Sequence, residues 1–173
     1  MSRETVLSLP DVSAICMIFD MNIRPATLDD ARRIAEIHRT ARAQAMPWLP
    51  VRHSAEEDFE FFRNQVIAEQ TVFVAHTETA QDLAGFVAFG DGWLNHLYVS
   101  PNAFRIGVGS ELLRLAQDSS PVLRLWTFQR NQIARNFYAK RGFSEVEWTN
   151  GDANEEKTAD VKMVWRKSGP LRT

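Results

Sequence analysis

Hydrophobic residues recur along the chain with two different periods, and these periods predict the order of its helices and strands. Two segments carry apolar residues at helical spacing, each after a capping box: Ile34, Ile37 and Ala41 after Thr27–Asp30, and Phe59, Phe62 and Val66 after Ser54–Glu57. Runs rich in β-branched and aromatic residues predict strands at 23–25, 71–76, 83–89, 93–99, 122–128, 143–148 and 161–165. Two more helices are predicted: 107–117, with Val108, Leu112, Leu115 and Ala116 on one side, and 131–141, with Gly142 at its C-terminal cap.

The element order is therefore β-α-α-β-β-β-α-β-α-β-β, which predicts an α/β fold with a mixed sheet. A chain of 173 residues is long enough to bury a hydrophobic core without disulfides or metals. We expect a single domain over 21–168, a loosely ordered extension at 1–20 and a short tail at 169–173.

The composition narrows the class of protein. A net charge of -2 and a pI of about 6.1 make nucleic acid and anionic membranes unexpected partners. The single cysteine, Cys16, excludes an internal disulfide and a multi-cysteine metal site, and no metal is expected. The apolar stretch near the start of the chain is too short to span a bilayer and lacks the layout of a signal peptide, which favours a cytoplasmic protein.

The most specific local signal is the stretch L-Y-V-S-P-N-A-F-R-I-G-V-G at 97–109. A predicted strand runs into a turn with two glycines and then directly into a helix. The first turn of a helix leaves backbone N–H groups without partners, and the helix dipole favours an anion there. Gly107 and Gly109 have no side chains, so a ligand can approach the backbone closely. The stretch predicts a phosphate-binding turn.

A second segment, N-Q-I-A-R-N-F-Y-A-K-R-G-F at 131–143, follows about twenty residues later. In this order and spacing the two segments resemble the acetyl-CoA site of the GNAT superfamily of N-acetyltransferases, and the element order after about Met21 fits as well. The resemblance implies a mixed, mostly antiparallel central sheet with helices on both faces. It also implies acetyl-CoA as the cofactor.

By this resemblance, the strand before the turn is bulged and splays from the next strand, and its backbone binds the pantetheine arm at Leu97, Tyr98 and Val99. The pyrophosphate is expected over the turn from Phe104 to Ser110, with backbone donors in Arg105, Ile106, Gly107, Val108, Gly109 and Ser110. Phe104 departs from the family, which has Arg or Gln there, and Arg105 is one place late. Asn131, Phe137 and Tyr138 complete the cofactor side. Asn131 is equally well explained as a helix N-cap, and Ile133, Ala134 and Phe137 as core residues.

The resemblance places Tyr138 beside the thioester sulfur, where a phenol can act as a general acid. The structural alternative is a tyrosine whose ring packs in the core. A backbone N–H of the splayed strand, at Val99, is expected to stabilise the oxyanion. The general base is less defined, because Trp93 lies near the position where many family members have Glu. Asp91, Asn95 and His96 are the polar neighbours and the candidates.

Two loops are expected to form the acceptor pocket. The first, 46–53, contributes Trp48, Leu49 and His53. The second, 149–160, is acidic and contributes Glu155 and Glu156, which would attract a cationic amine unless the loop is simply solvated.

The resulting hypothesis is an N-acetyltransferase in which a primary amine attacks acetyl-CoA directly within a ternary complex. The expected acceptor is a small amine or an amino-acid-like molecule, or otherwise a protein N-terminus or lysine. A non-catalytic acyl-CoA-binding module is the alternative from another class, and the Phe104 departure favours it. A toxin that acetylates aminoacyl-tRNA gains no support from the acidic pI. Because many relatives dimerise, a homodimer is a mild expectation.

Overall fold

A seven-stranded sheet runs through the computed structural model, which describes residues 21–77 and 82–167. The strands are β1 (Met21–Pro25), β2 (Thr71–Thr77), β3 (Leu83–Gly90), β4 (Trp93–Val99), β5 (Val122–Phe128), β6 (Ser144–Trp148) and β7 (Asp160–Arg166). Their spatial order is β1-β2-β3-β4-β5-β7-β6, and only the β4–β5 pair is parallel. The mixed, mostly antiparallel sheet predicted from the sequence is confirmed.

The helices follow the predicted order. They are α1 (Ala31–Ala45), α2 (Ala55–Phe61), α3 (Ile67–Glu69), α4 (Val108–Ser119) and α5 (Gln132–Ala139), with a π-helical turn at Phe62–Val66 between α2 and α3. Both predicted capping boxes form. The last helix ends two residues earlier than predicted, because Gly142 adopts a left-handed φ of 86° and the N–H of Phe143 donates to the Tyr138 carbonyl.

The two faces of the sheet are covered by different helices. On one face, α1 and the π-helical turn bury the predicted residues Ile34, Ile37, Phe62 and Val66 against β2 and β3. On the other face, α4 packs with Val108, Leu112, Leu113 and Ala116. Leu113 replaces the predicted Leu115, which is half-buried, and Ile133 of α5 is 70% exposed rather than in the core. Burial of each large side chain stabilises the fold by roughly 1.5–3 kcal/mol.

The sheet opens between β4 and β5. The two strands pair at one position only, Trp93 with Arg124. A register shift in β4 places His96 opposite Ala88 and Leu94 opposite Phe89, so Asn95 is the extra residue of a β-bulge. The bulge and the splay that the resemblance implied are both present.

Within 21–77 and 82–167, no helix combines the length and the hydropathy needed to cross a bilayer. The expectations for the extension at 1–20, including Cys16, and for the tail at 169–173 lie outside the described residues.

Candidate active site

The glycine turn begins α4 with a left-handed residue. Gly107 is the N-cap of the helix with a φ of 93°, and a Cβ built there meets no heavy atom within 4 Å. Arg105, two residues earlier, also has a positive φ of 64°. The space above Gly107 is therefore open, and a side chain at this position would carry backbone strain.

The backbone donors of this turn are mostly free. In the described part of the chain, no group accepts a hydrogen bond from the N–H groups of residues 104–109. Ser110 differs, because its N–H donates to the Gly107 carbonyl at 3.0 Å, and the next residue, Glu111, donates to the same oxygen at 3.1 Å. Five of the six expected backbone donors at 105–110 are thus available to an anion, and the Ser110 N–H is not.

A cation lies beside this turn that the sequence analysis missed. Arg141 donates from Nη2 to Ser110 Oγ at 2.5 Å and from Nη1 to the Phe137 carbonyl at 2.9 Å, and its guanidinium stacks 3.7 Å from the Phe137 ring centroid. Phe104 is 43% exposed and supplies no charge. Arg141 follows Phe137 by one helical turn, which is the spacing that could have identified it.

The second motif packs directly on the turn. A Cβ at Gly109 would lie 3.5 Å from the Phe137 ring and 3.4 Å from Val99, so glycine allows a close approach of α4 to α5. Asn131 caps α5, with Oδ1 accepting from the N–H of Ala134 at 3.1 Å. This observation supports the structural reading of Asn131.

Tyr138 packs between Phe137 and Phe143, with ring centroids 5.2 and 5.4 Å away. Burial raises the pKa of Tyr138 well above its usual range, the neighbouring phenol of Tyr98 raises it further, and Arg141 opposes the shift. The Tyr138 phenol is therefore protonated at neutral pH. The two tyrosines are close enough to influence each other.

Two of the three candidate bases lie in the β3–β4 turn and at the β-bulge. Asp91 is in the β3–β4 turn, where it lines a separate cavity of about 290 Å³. That turn is at the end of β4 opposite to Val99, and the strand between them spans about 20 Å at the usual rise. Asn95, the bulge residue, is exposed and donates to Gln70 Oε1 at 2.9 Å.

The third candidate, His96, lies in an aromatic cluster between β4 and α1. Its ring centroid is 5.3 Å from Phe62, 6.1 Å from His38 and 6.4 Å from Tyr98. Burial, with a smaller effect of Arg42, lowers the pKa of His96 to about 4. A neutral imidazole held by aromatic rings is a weak proton acceptor.

His38 is a second histidine in this cluster, and the sequence analysis missed it. Its ring lies 4.8 Å from Tyr98, and its Nδ1 atom is buried with no hydrogen-bond partner among the described residues. Burial first, and then Arg42, lower the pKa of His38 to about 3. The signal was present, since His38 lies four residues after Ile34, on the apolar stripe of α1.

The two loops expected to form the acceptor pocket do meet. They enclose a cavity of about 310 Å³ together with the C-terminal half of α1. Of the five predicted acceptor residues, Leu49, His53, Glu155 and Glu156 line it. Trp48 does not, because its ring packs against Phe128 at 5.8 Å and under the Arg130 guanidinium at 4.7 Å.

The acidic residues of this cavity are already paired. Glu156 accepts from Arg42 at 2.5 Å, Glu155 contacts His53 at 2.7 Å, and Asp58 accepts from Arg39 at 2.6 Å. The second loop is therefore connected to α1 by the Arg42–Glu156 ion pair and to the first loop by the His53–Glu155 hydrogen bond. Its carboxylates are not a free acidic cluster.

The family model of the GNAT acetyltransferase domain matches residues 68–145, which include the splay, the glycine turn and the whole of the second motif. A curated relative, the peptidyl-lysine N-acetyltransferase YiaC of Escherichia coli, is 41% identical over 90 residues. The matched stretch covers 51% of this chain and 58% of that relative's length.

Solved structures show the same fold. The apo form of YjaB from Escherichia coli covers 86% of this chain and 99% of its own, at 20% identity and a TM-score of 0.70. YncA of Salmonella typhimurium, solved with acetyl-CoA, covers 89% of this chain and 99% of its own, at 18% identity and a TM-score of 0.63. The sheet with its splay and the glycine turn agree with these matches: the chain is similar in sequence to the GNAT acetyltransferase domain over residues 68–145, and it shares the fold of these solved structures.

Proposed function

We propose that this protein transfers the acetyl group of acetyl-CoA to a primary amine by direct attack in a ternary complex. The observation that carries the proposal is the gap between β4 and β5, which opens beside the free backbone donors of the glycine turn. The backbone at Leu97, Tyr98 and Val99 would bind the pantetheine arm, and the turn at 104–109 the pyrophosphate. Arg141 would add a positive charge near the phosphates.

Each residue of the reaction centre has one task in this proposal. The Val99 N–H donates to the carbonyl oxygen as it gains charge. The amine nitrogen forms a bond to the carbonyl carbon, the carbon–sulfur bond breaks, and Tyr138 donates its proton to the departing sulfur. The surplus proton of the amine leaves to solvent, and Tyr138 takes up a proton from solvent to restore its phenol. No acyl group is attached to the protein.

The acceptor side, meaning the cavity formed by α1 and the loops at 46–53 and 149–160 with the histidines beside it, also favours a neutral amine. Burial and the charge of Arg42 hold His38 and His96 in their neutral forms. An ammonium group bound beside these histidines would meet the same burial and the same charge, so we expect its pKa to fall as well. The cavity would then deliver the attacking form of the amine without a strong base.

The acceptor has two candidate classes. A small amine or an amino-acid-like molecule suits a cavity of about 310 Å³. A peptidyl lysine is the second candidate, because the relative YiaC is named for that activity.

The test compares the wild type with Tyr138→Phe in two measurements. Calorimetric titration with acetyl-CoA is expected to give similar affinities for both proteins, since the hydroxyl acts on sulfur only in the transition state. Thiol release with an acceptor panel of amines and lysine peptides is expected to fall about 10²- to 10⁴-fold in the variant.

The matched control is Tyr98→Phe, which removes the other phenol of the pair and is expected to lose much less activity. Equal turnover of Tyr138→Phe and wild type would reject the general-acid role. Binding of acetyl-CoA without turnover of any acceptor would favour the acyl-CoA-binding module instead.

A further inference from the structure

The cavity beside α1 offers more free hydrogen-bond donors than free carboxylate oxygens. It is lined by three arginines and three carboxylates, and each carboxylate is paired with a different base: Arg39, Arg42 or His53. Arg52 lines the same cavity and forms no ion pair with any carboxylate in the described part of the chain. The arrangement suits a ligand that brings its own negative charge.

Arg42 is the best-placed donor. Only its Nη2 atom bonds to Glu156, so the rest of its guanidinium fork is available on the side of the cavity. After burial, its positive charge is the next cause of the lowered pKa values of His38 and His96, so its charge also acts on the aromatic cluster. The planar fork of arginine matches a carboxylate in a bidentate geometry.

His38 supplies a second donor to the same cavity. Its Nδ1 atom is buried without a partner among the described residues, and a buried lone pair costs less there than a buried N–H. The lack of an acceptor at Nδ1 therefore favours the tautomer of the neutral ring with its proton on Nε2. An Nε2–H group in a side chain that lines the cavity can donate to an oxygen but cannot accept from an amine.

We propose that this cavity binds the acceptor through a carboxylate, held by Arg42 and His38, so that the acceptor is a free amino acid or a similar amine that carries a carboxylate. The inference rests on the proposed acetyl transfer and specifies its substrate class. A lysine side chain within a peptide is flanked by amides and has no such charge at a comparable distance.

The first experiment uses matched pairs: each of the free L-amino acids and its α-amide, with acetyl-CoA, followed by thiol release. At least one free amino acid is expected to be acetylated, with kcat/KM about 10- to 100-fold above that of its amide, the range for a hydrogen bond to a charged group. The α-amine of the amide is the less basic of the two, so a larger fraction of it is neutral and able to attack at pH 7. A lower rate with the amide therefore reflects lost binding and not a shortage of the attacking form.

The second experiment separates carboxylate binding from a role in holding the loop. Arg42→Gln and Glu156→Gln both break the same ion pair. Arg42→Gln is expected to raise the KM for the amino acid about 10- to 100-fold. Glu156→Gln frees the guanidinium of Arg42 and is expected to lower that KM. Arg114→Gln, on the exposed side of α4, is the control for a lost surface arginine.

The outcomes are distinguishable. Equal KM increases in Arg42→Gln and Glu156→Gln, equal use of acids and amides, or acetylation of lysine peptides alone would overturn the carboxylate site. Binding of acetyl-CoA with no turnover of any amino acid would overturn it too, while leaving the cofactor site intact. Failure to bind acetyl-CoA would reject the proposed function itself. Melting temperatures of all variants exclude a loss of folding as the cause.

Discussion

The two sides of the candidate site differ in the groups that form them: backbone N–H groups on one side and side chains on the other. In the proposed site, the cofactor side consists mostly of backbone N–H groups in one continuous segment, 104–109, and of the open edge of β4. The acceptor side consists of side chains from three segments that are far apart in sequence: α1, the loop at 46–53 and the loop at 149–160. Ion pairs such as Arg42–Glu156 connect these segments.

This difference determines which side of the site tolerates side-chain substitutions. Backbone donors remain in place when a side chain is replaced, which is why the turn keeps its donors although Phe104 replaces the arginine or glutamine of the family. The acceptor side has no such protection, because each of its contacts depends on one side chain. Substitutions are therefore expected to alter the choice of acceptor far more readily than the choice of cofactor.

The largest effect is expected where the backbone itself is altered. Gly107→Glu places an anion over the open turn and forces a side chain into a left-handed conformation, so acetyl-CoA binding is expected to weaken more than about 100-fold. Calorimetric titration measures the affinity. Gly107→Ala carries the backbone strain without the charge and is expected to lose about tenfold or less. An unchanged affinity in Gly107→Glu would mean that the pyrophosphate lies elsewhere.

The next largest effect is expected on the free energy of unfolding, from Asp30 at the N-terminus of α1. Asp30 accepts hydrogen bonds from Nη1 and Nη2 of Arg24, each at 2.8 Å, and from the N–H of Thr27. These hydrogen bonds lower the pKa of Asp30 from 3.8 to about 2. Asp30→Asn is expected to lower the free energy of unfolding at pH 7 by about 2 kcal/mol.

The sign of this effect with pH follows from the lowered pKa of Asp30. The stabilisation is complete above about pH 4 and is lost as the pH falls through about 2, so the wild type and Asp30→Asn are expected to converge at low pH. Denaturant unfolding at several pH values tests this. Asp29→Asn, at the exposed neighbouring carboxylate, is the control, and a constant difference between wild type and Asp30→Asn at all pH values would contradict the expectation.

The next prediction concerns Arg141, the charged side chain that we expect to bind the phosphates together with the backbone donors. Arg141→Gln is expected to weaken acetyl-CoA binding about tenfold, the usual scale for a charge-assisted contact with phosphate. Lys140→Gln removes an exposed charge from the adjacent position and is expected to have little effect. If the two variants bind equally well, the stacking of Arg141 on Phe137 is only structural.

The smallest effect is expected at Phe104. Phe104→Arg restores the residue of the family at an exposed position, and the gain in acetyl-CoA affinity is expected to stay below about threefold, as for other exposed charges. Phe104→Leu is the neutral control. A gain of tenfold or more would show that backbone donors alone do not define the cofactor side.

Much of the fold was predictable because its signals are local. The helical stripe of α1, both capping boxes and the glycine turn depend on residues close in sequence, and all are present. The end of α5 was misplaced by two residues, since a left-handed glycine closes a helix through hydrogen bonds that the pattern does not fix.

The acceptor side was less predictable because its contacts cross more than a hundred residues. Arg42 and Glu156 are 114 residues apart, and nothing in either segment indicates that they form an ion pair. The loop carboxylates were therefore expected to be free. Asp91 was proposed as a base from its position in the sequence, but the length of β4 places it at the far end of the strand.

The single pairing between β4 and β5 has a mechanical consequence. In the described residues, Trp93 and Arg124 are the only ladder contact between a block of β1–β4 and a block of β5–β7–β6. A ligand lying in the gap would link the two blocks along their length, and so would suppress the openings by which one block unfolds before the other. Amide exchange in β5 and β7 is then expected to slow in the presence of acetyl-CoA. The fraction of protein with bound cofactor would determine how often the two blocks of the sheet unfold together and not separately.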